Sequence, residues 1–69
     1  MNPLAVTVNG EGRDLAVGAT VSDLVQDLPG SGRGTAVARN GEVVPRSQWP
    51  TTLLSDGDRV EILGAAQGG

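Results

Sequence analysis

The sequence predicts an α+β fold of two layers, with one helix packed across one face of a mixed sheet of four to five strands. Three observations carry that reading. Large apolar residues alternate with period two in several short stretches, as they do in half-buried strands. Residues 18–28 break that alternation and take up a helical period instead. Asn-Gly and Asp-Gly pairs separate the alternating stretches, where tight turns are required. The chain has 69 residues, room for one small domain. A domain of this size buries only about 60% of the surface its unfolded chain exposes. The core must therefore use most of the aliphatic residues, because Trp49 is the single aromatic.

Each element follows from its residues. Leu4, Val6 and Val8 alternate with Ala5 and Thr7, which predicts a strand over 4–8. "NGEG" (9–12) is a hairpin signal, since Asn and Gly tolerate positive φ. "RDLAV" (13–17) resumes the alternation through Leu15 and Val17 and is expected to pair antiparallel with the first strand. Val21, Leu24, Val25 and Leu28 then stand at i, i+3, i+4 and i+7, one face of a helix. Thr20 is its natural N-cap, and Asp23 three residues on completes a capping box and suits the positive end of the helix dipole. "PGSGRG" (29–34) ends it. A helix this short does not survive alone in water, so its apolar stripe must lean on the sheet. "TAVAR" (35–39) is a third strand. "NGEVVP" (40–45) supplies a second Asn-Gly turn and a short fourth strand stopped by Pro45. Residues 46–58 form a longer connection, with a single helical turn expected near Ser47–Trp49. Asp56–Gly57 introduces the last strand, "RVEIL" (59–63), with Val60 and Ile62 facing one way and Arg59, Glu61 and Leu63 the other. Residues 1–63 are thus expected to form the domain. Residues 64–69, "GAAQGG", have no large side chain to anchor them and are expected to be a mobile tail. The long connection through the helix suits a crossover, and the short turns suit hairpins.

Composition narrows the chemistry. There is no Cys and no His, so a Cys/His zinc site and a Cys-His or Ser-His nucleophile pair are both excluded. The net charge is −3, and all five cations are Arg, scattered at 13, 33, 39, 46 and 59. No basic stripe or aromatic platform accompanies them, which argues against nucleic-acid binding. The N-terminus lacks the basic start and apolar run of a signal peptide, and no stretch approaches the length of a membrane span. A cytoplasmic protein without membrane association is the expectation.

The closing Gly68–Gly69 is by itself a weak signal. With 11 Gly among 69 residues, chance alone gives such an ending about 2–3% of the time. It gains meaning from the rest of the chain. A final strand running into a terminal diglycine resembles the β-grasp fold of ubiquitin-like proteins. More narrowly, "VTVNGE" (6–11), "GATVSDLV" (18–25), "VARNGEVVPRSQW" (37–49), "DGDRVEI" (56–62) and the closing "GG" resemble the ThiS family of bacterial sulfur carriers in thiamine biosynthesis. These stretches run nearly the whole chain, and "NGEVVPRSQW" followed by "DGDRVEI" is far more specific than the diglycine.

The resemblance implies a chemical cycle in which the chain is a cosubstrate, not an enzyme. An E1-like adenylyltransferase of the ThiF type uses ATP to adenylate the Gly69 carboxylate. Persulfide sulfur from a cysteine desulfurase system then displaces AMP. The resulting thiocarboxylate gives its sulfur to the thiazole ring made by a ThiG-type thiazole synthase. The carrier itself binds no cofactor and no metal.

The residues make physical sense of that cycle. A terminal carboxylate has a pKa near about 3.5 and is ionised at neutral pH, so it repels an incoming sulfur nucleophile. It can, however, attack the α-phosphorus of ATP. Adenylation converts it into a mixed anhydride with a good leaving group and divides one hard substitution into two easier ones. Gly68 and Gly69 lack Cβ and can thread a narrow channel, with Gln67 entering behind them. Strand alternation adds a candidate docking patch: Val37 turns inward, Ala36 and Ala38 outward, and Leu63 joins them if the last strand pairs with the third.

Other candidates read as structure. Trp49 is expected to anchor core or loop. Asp56 and Asp58 read as turn chemistry and not as a paired-carboxylate site. Gly10 and Gly12 are followed by neither a helix nor a Lys, which rejects a phosphate loop. Three other functions compete with the thiamine carrier: the small subunit of molybdopterin synthase, a ubiquitin-like modifier forming amide bonds to target lysines, and a binding module with an inert tail. The short chain and "NGEVVPRSQW" favour thiamine.

Overall fold

The computed structural model describes residues 3–28 and 34–64. Strands β1 (Leu4–Val8) and β2 (Glu11–Leu15) form the first hairpin, in register from Val8 opposite Glu11 to Leu4 opposite Leu15. The loop between them is only Asn9 and Gly10, with φ of 52° and 85°. A two-residue turn of this hand needs positive φ at both positions, and Asn-Gly supplies it at least cost. The tightness of the turn corrects the expected second strand, 13–17. Pairing resumes at once at Glu11 and ends where β1 begins, opposite Leu4. Val17 therefore lies outside the sheet and is 54% exposed.

Helix α1 (Val21–Gln26) has the expected cap. Asp23 N donates to Thr20 Oγ1 (3.2 Å) and Thr20 N donates to Asp23 Oδ2 (3.0 Å), the two halves of a capping box. The helix is shorter than the periodic stretch that predicted it. Leu28 precedes Pro29, and a residue before proline is driven out of the helical region. Leu28 still packs against the core from beyond the helix end.

Strands β3 (Thr35–Arg39) and β4 (Glu42–Val43) form the second hairpin around Asn40 and Gly41, whose φ angles of 52° and 85° repeat those of the first. The expected single helical turn is a 3-10 helix over Arg46–Thr51. Its tighter geometry accommodates Pro50, which cannot donate a backbone hydrogen bond. Strand β5 (Arg59–Gly64) runs one residue past the expected 59–63, because Gly64 pairs with Thr35. Backbone pairing asks nothing of a side chain, so the absence of one at Gly64 did not end the strand.

The sheet order is β2-β1-β5-β3-β4. β5 lies at its centre, parallel to β1 and antiparallel to β3. The last turn is fastened to β1 before β5 begins: Gly57 N donates to Ala5 O (2.7 Å) and Thr7 N to Asp58 O (3.0 Å). One face of the sheet turns Val6, Val8, Val37 and Val60 toward Val21, Leu24 and Val25 of α1, and Val44, Trp49 and Leu54 close the core. Each such buried aliphatic side chain contributes about 1.5–3 kcal/mol relative to exposure. The long connection also braces the helix entrance, where Val21 N donates to Thr52 O (3.0 Å) and Leu54 N to Ala19 O (2.9 Å).

Candidate functional site

Gln67, Gly68 and Gly69, the residues expected to carry the sulfur chemistry, lie outside the described residues. What the structure defines is the ground they start from. Gly64, at the end of the central strand, is held opposite Thr35, and the face of the sheet away from the helix adjoins it.

That face is built by alternation. Val37 is 2% exposed and points into the core, which turns Ala36 and Ala38 to the other side. The β3–β5 register sets Ala36 opposite Leu63 and Ala38 opposite Glu61, so the three candidate patch residues do share one surface. Leu63 is 75% exposed there. The structure adds Val43, opposite Ala38 on β4 and 77% exposed. Sequence reasoning missed it, although a signal was present. A two-residue Asn40–Gly41 turn forces Arg39 opposite Glu42 and Ala38 opposite Val43, and residues directly opposite share a face. Together Ala36, Ala38, Val43 and Leu63 line a shallow groove of about 360 Å³, with Glu61 and Asn9 also in its lining. An exposed apolar surface beside the root of the tail is suited to burial by another protein.

The remaining polar candidates hold the fold together. Asp58 is buried, and it accepts hydrogen bonds from Ser55 N (2.8 Å), Asn40 Nδ2 (2.9 Å) and an Arg39 guanidinium nitrogen (3.4 Å). Burial alone would raise its pKa. The bonds from Asn40 and Ser55 and the charge of Arg39 outweigh that, and the carboxyl sits below its ordinary value. Asp56 Oδ1 accepts from Ala5 N (2.8 Å). Both acids therefore work on the turn that launches β5, as expected. Trp49 is buried and donates from Nε1 to Val44 O (2.9 Å), while the Arg46 guanidinium lies 4.9 Å from its ring centroid. Among the described residues no group of three or more Cys, His, Asp or Glu is placed to hold a metal ion, and no helix is long and apolar enough to cross a membrane.

Comparison with known proteins fits this geometry. The profile of the ThiS family matches residues 6–69. The sulfur carrier protein ThiS of Escherichia coli is 32% identical over 66 residues, which cover 96% of this chain and 100% of that one. A thiazole synthase of Paramagnetospirillum magneticum is 36% identical over 66 residues; the match covers 96% of this chain but only 20% of that longer protein. The crystal structure of a thiamine biosynthesis protein (ThiS) from Geobacter metallireducens superposes with a TM-score of 0.79 at 33% identity, over 88% of this chain and 93% of that one. The five-stranded mixed sheet with its short helix is thus the β-grasp arrangement.

Proposed function

The chain belongs to the ThiS family, and from that membership we infer that it is a sulfur carrier protein of thiamine biosynthesis, with Gly69 as the residue that takes the sulfur. It is a cosubstrate on which partner enzymes act, not an enzyme itself. The observation that carries this reading is the family match over residues 6–69, which takes in the diglycine as well as the domain. The thiazole synthase relative supports a ThiG-type enzyme as the recipient of the sulfur and favours thiamine over the molybdopterin alternative.

The chemistry begins at the Gly69 carboxylate. One of its oxygens attacks the α-phosphorus of ATP on a ThiF-type adenylyltransferase, and pyrophosphate leaves. The terminal sulfur of a persulfide on the cysteine desulfurase system then displaces AMP to give an acyl disulfide. A thiol reductant cleaves its S–S bond, leaving the thiocarboxylate on the carrier and the former persulfide cysteine in a disulfide with that thiol. The carrier needs no thiol of its own, since the sulfur is held on its terminal carbonyl carbon. Leu63, with Ala36, Ala38 and Val43 beside it, offers the partner an apolar surface at the base of the tail. Gly68 and Gly69 present no side chain to obstruct a narrow channel.

The test is to mix the chain with the ThiF-type enzyme of the same genome and ATP and to follow ATP–pyrophosphate exchange. Addition of the desulfurase system with a thiol reductant should then raise the intact mass by the replacement of one oxygen with one sulfur. Absence of exchange with that enzyme would overturn the carrier reading. A branched adduct on another protein's Lys would point to a modifier instead.

A further inference from the structure

The two Asn-Gly hairpins do more than turn the chain. Both asparagine carboxamides reach onto β5. Asn40 Oδ1 accepts from Arg59 N (2.9 Å), at the start of the strand. Asn9 acts farther along, where Ile62 N donates to Asn9 Oδ1 (2.8 Å) and Asn9 Nδ2 donates to Ile62 O (3.1 Å). These bonds join residues 53 positions apart in the sequence.

Their place in the sheet gives them meaning. The parallel register of β1 and β5 consists of Thr7 opposite Arg59 and Val8 opposite Val60. Asn9 N donates to Val60 O (2.9 Å), and there the backbone of β1 turns away into its hairpin. A carboxamide carries the same donor and acceptor as a peptide unit. The Asn9 side chain thus supplies one more rung of the ladder after the main chain has left it. Ile62, Leu63 and Gly64 are paired on their other side with Val37, Ala36 and Thr35. Asn9 is what holds the β1 side of this last stretch among the described residues.

We propose that Asn9 is a positioning residue for sulfur acceptance: its carboxamide pins the end of β5 and so fixes Gly64, the point on the sheet from which the chain continues toward Gly69. This rests on the carrier function proposed above. A tail that must place one carboxylate in another protein's active site gains from a fixed root, because less freedom remains to be frozen on docking. The role is separable from turn formation. Positive φ at position 9 suits glycine as well as asparagine, so Asn9→Gly keeps the turn and removes the rung.

The experiment compares the parent, Asn9→Gly and Asn40→Gly, each full length. Amide hydrogen exchange by NMR reads the rung directly, and the apparent KM and kcat of the carrier in ATP–pyrophosphate exchange with the ThiF-type enzyme read its consequence. In Asn9→Gly the Ile62 amide should exchange roughly five- to tenfold faster, as expected for loss of one net hydrogen bond. The apparent KM should rise while kcat is retained. Asn40→Gly should leave the Ile62 amide and the KM near those of the parent. Unchanged exchange at Ile62 in Asn9→Gly overturns the proposal, as does parent-like kinetics despite faster exchange, or an equal rise in KM in Asn40→Gly. If Asn9→Gly does not fold, Asn9→Asp carries the test through the kinetics. It keeps the acceptor for Ile62 N, so Ile62 exchange is not its readout, but it replaces the donor to Ile62 O with a second acceptor. The apparent KM should therefore rise with kcat retained, and a parent-like KM overturns the proposal. A parent chain that is not activated at all overturns the function itself, and that failure is visible before any variant is compared.

Discussion

Asp58 is buried and charged, and the reason it can be both is local. Three donors surround its carboxylate, and they stabilise the ionised form beyond the cost of burial. Its folded pKa is therefore lower than its unfolded one, and the sign of the pH dependence follows. Above its ordinary value of 3.8 its contribution to stability is fully present; as pH falls below that value and through the depressed folded pKa, the contribution is lost. Asp58→Asn should lower the melting temperature at pH 7, and that deficit should shrink as pH falls below 3.8 and through the depressed folded pKa of the parent acid. Thermal unfolding of both chains across pH checks this. Ten residues farther along the chain, Gly68→Val should reduce thiocarboxylate formation without abolishing it. The carboxylate remains, but a β-branched side chain restricts the backbone and widens the thread. Mass spectrometry of the sulfur-loaded product, beside an unchanged melting curve, is the measurement.

At the scale of elements, α1 shows how a short helix persists. Val21–Gln26 is too short to be stable in isolation, and it gains from a capping box at one end and a buried stripe along its length. Thr20→Ala removes the side-chain half of the cap and should cost about 1 kcal/mol. Leu24 is 1% exposed in the middle of the stripe, and Leu24→Ala should cost about 2–5 kcal/mol. A domain of this size has a stability of only about 0.05–0.15 kcal/mol per residue, so Leu24→Ala should be largely unfolded at ambient temperature. Denaturant unfolding followed by circular dichroism separates the two variants. A melting temperature for Leu24→Ala equal to the parent's would contradict the packing of α1 on the sheet.

Across the whole molecule, the core and the proposed chemistry occupy different ground. The buried cluster lies between Val6 and Val60, under α1, while the apolar groove lies on the opposite face of the sheet beside Gly64. Stability and function should then be separable by mutation. Leu63→Ser removes an exposed side chain, and such a change is expected to move stability by no more than about 0.5 kcal/mol. It should nevertheless raise the apparent KM for activation by the ThiF-type enzyme. Extra residues after Gly69 should leave the melting temperature unchanged and abolish sulfur loading, because an amide at that position has no free carboxylate oxygen to attack ATP. An extended chain that still accepts sulfur at its C-terminus, with no protease able to trim it, would mean that Gly69 is not the acceptor.

Local rules made much of this protein legible in its sequence. Alternation marked β1, β3 and β5, helical period marked the stripe of α1, and Thr20 with Asp23 announced the cap, since each of these depends on residues a few positions apart. The inward turn of Val37 and the outward turn of Ala36 followed from the same alternation. The tertiary structure decided whatever depended on partners distant in the sequence. Pairing with β1 set the limits of β2 and left Val17 outside. Pairing with Thr35 carried β5 to Gly64, against the expectation raised by its missing side chain. Asn9 and Asn40 read as turn residues because positive φ is a local demand, whereas their grip on β5 exists only once the sheet has brought Ile62 and Arg59 beside them. Asp58 likewise read as turn chemistry, which its bond to Ser55 bears out, but its bonds to Asn40 and Arg39 cross from one hairpin to the start of another strand. A sequence specifies the conformations its own residues prefer; which side chain meets which backbone across the sheet is decided by the packing that makes those preferences compatible.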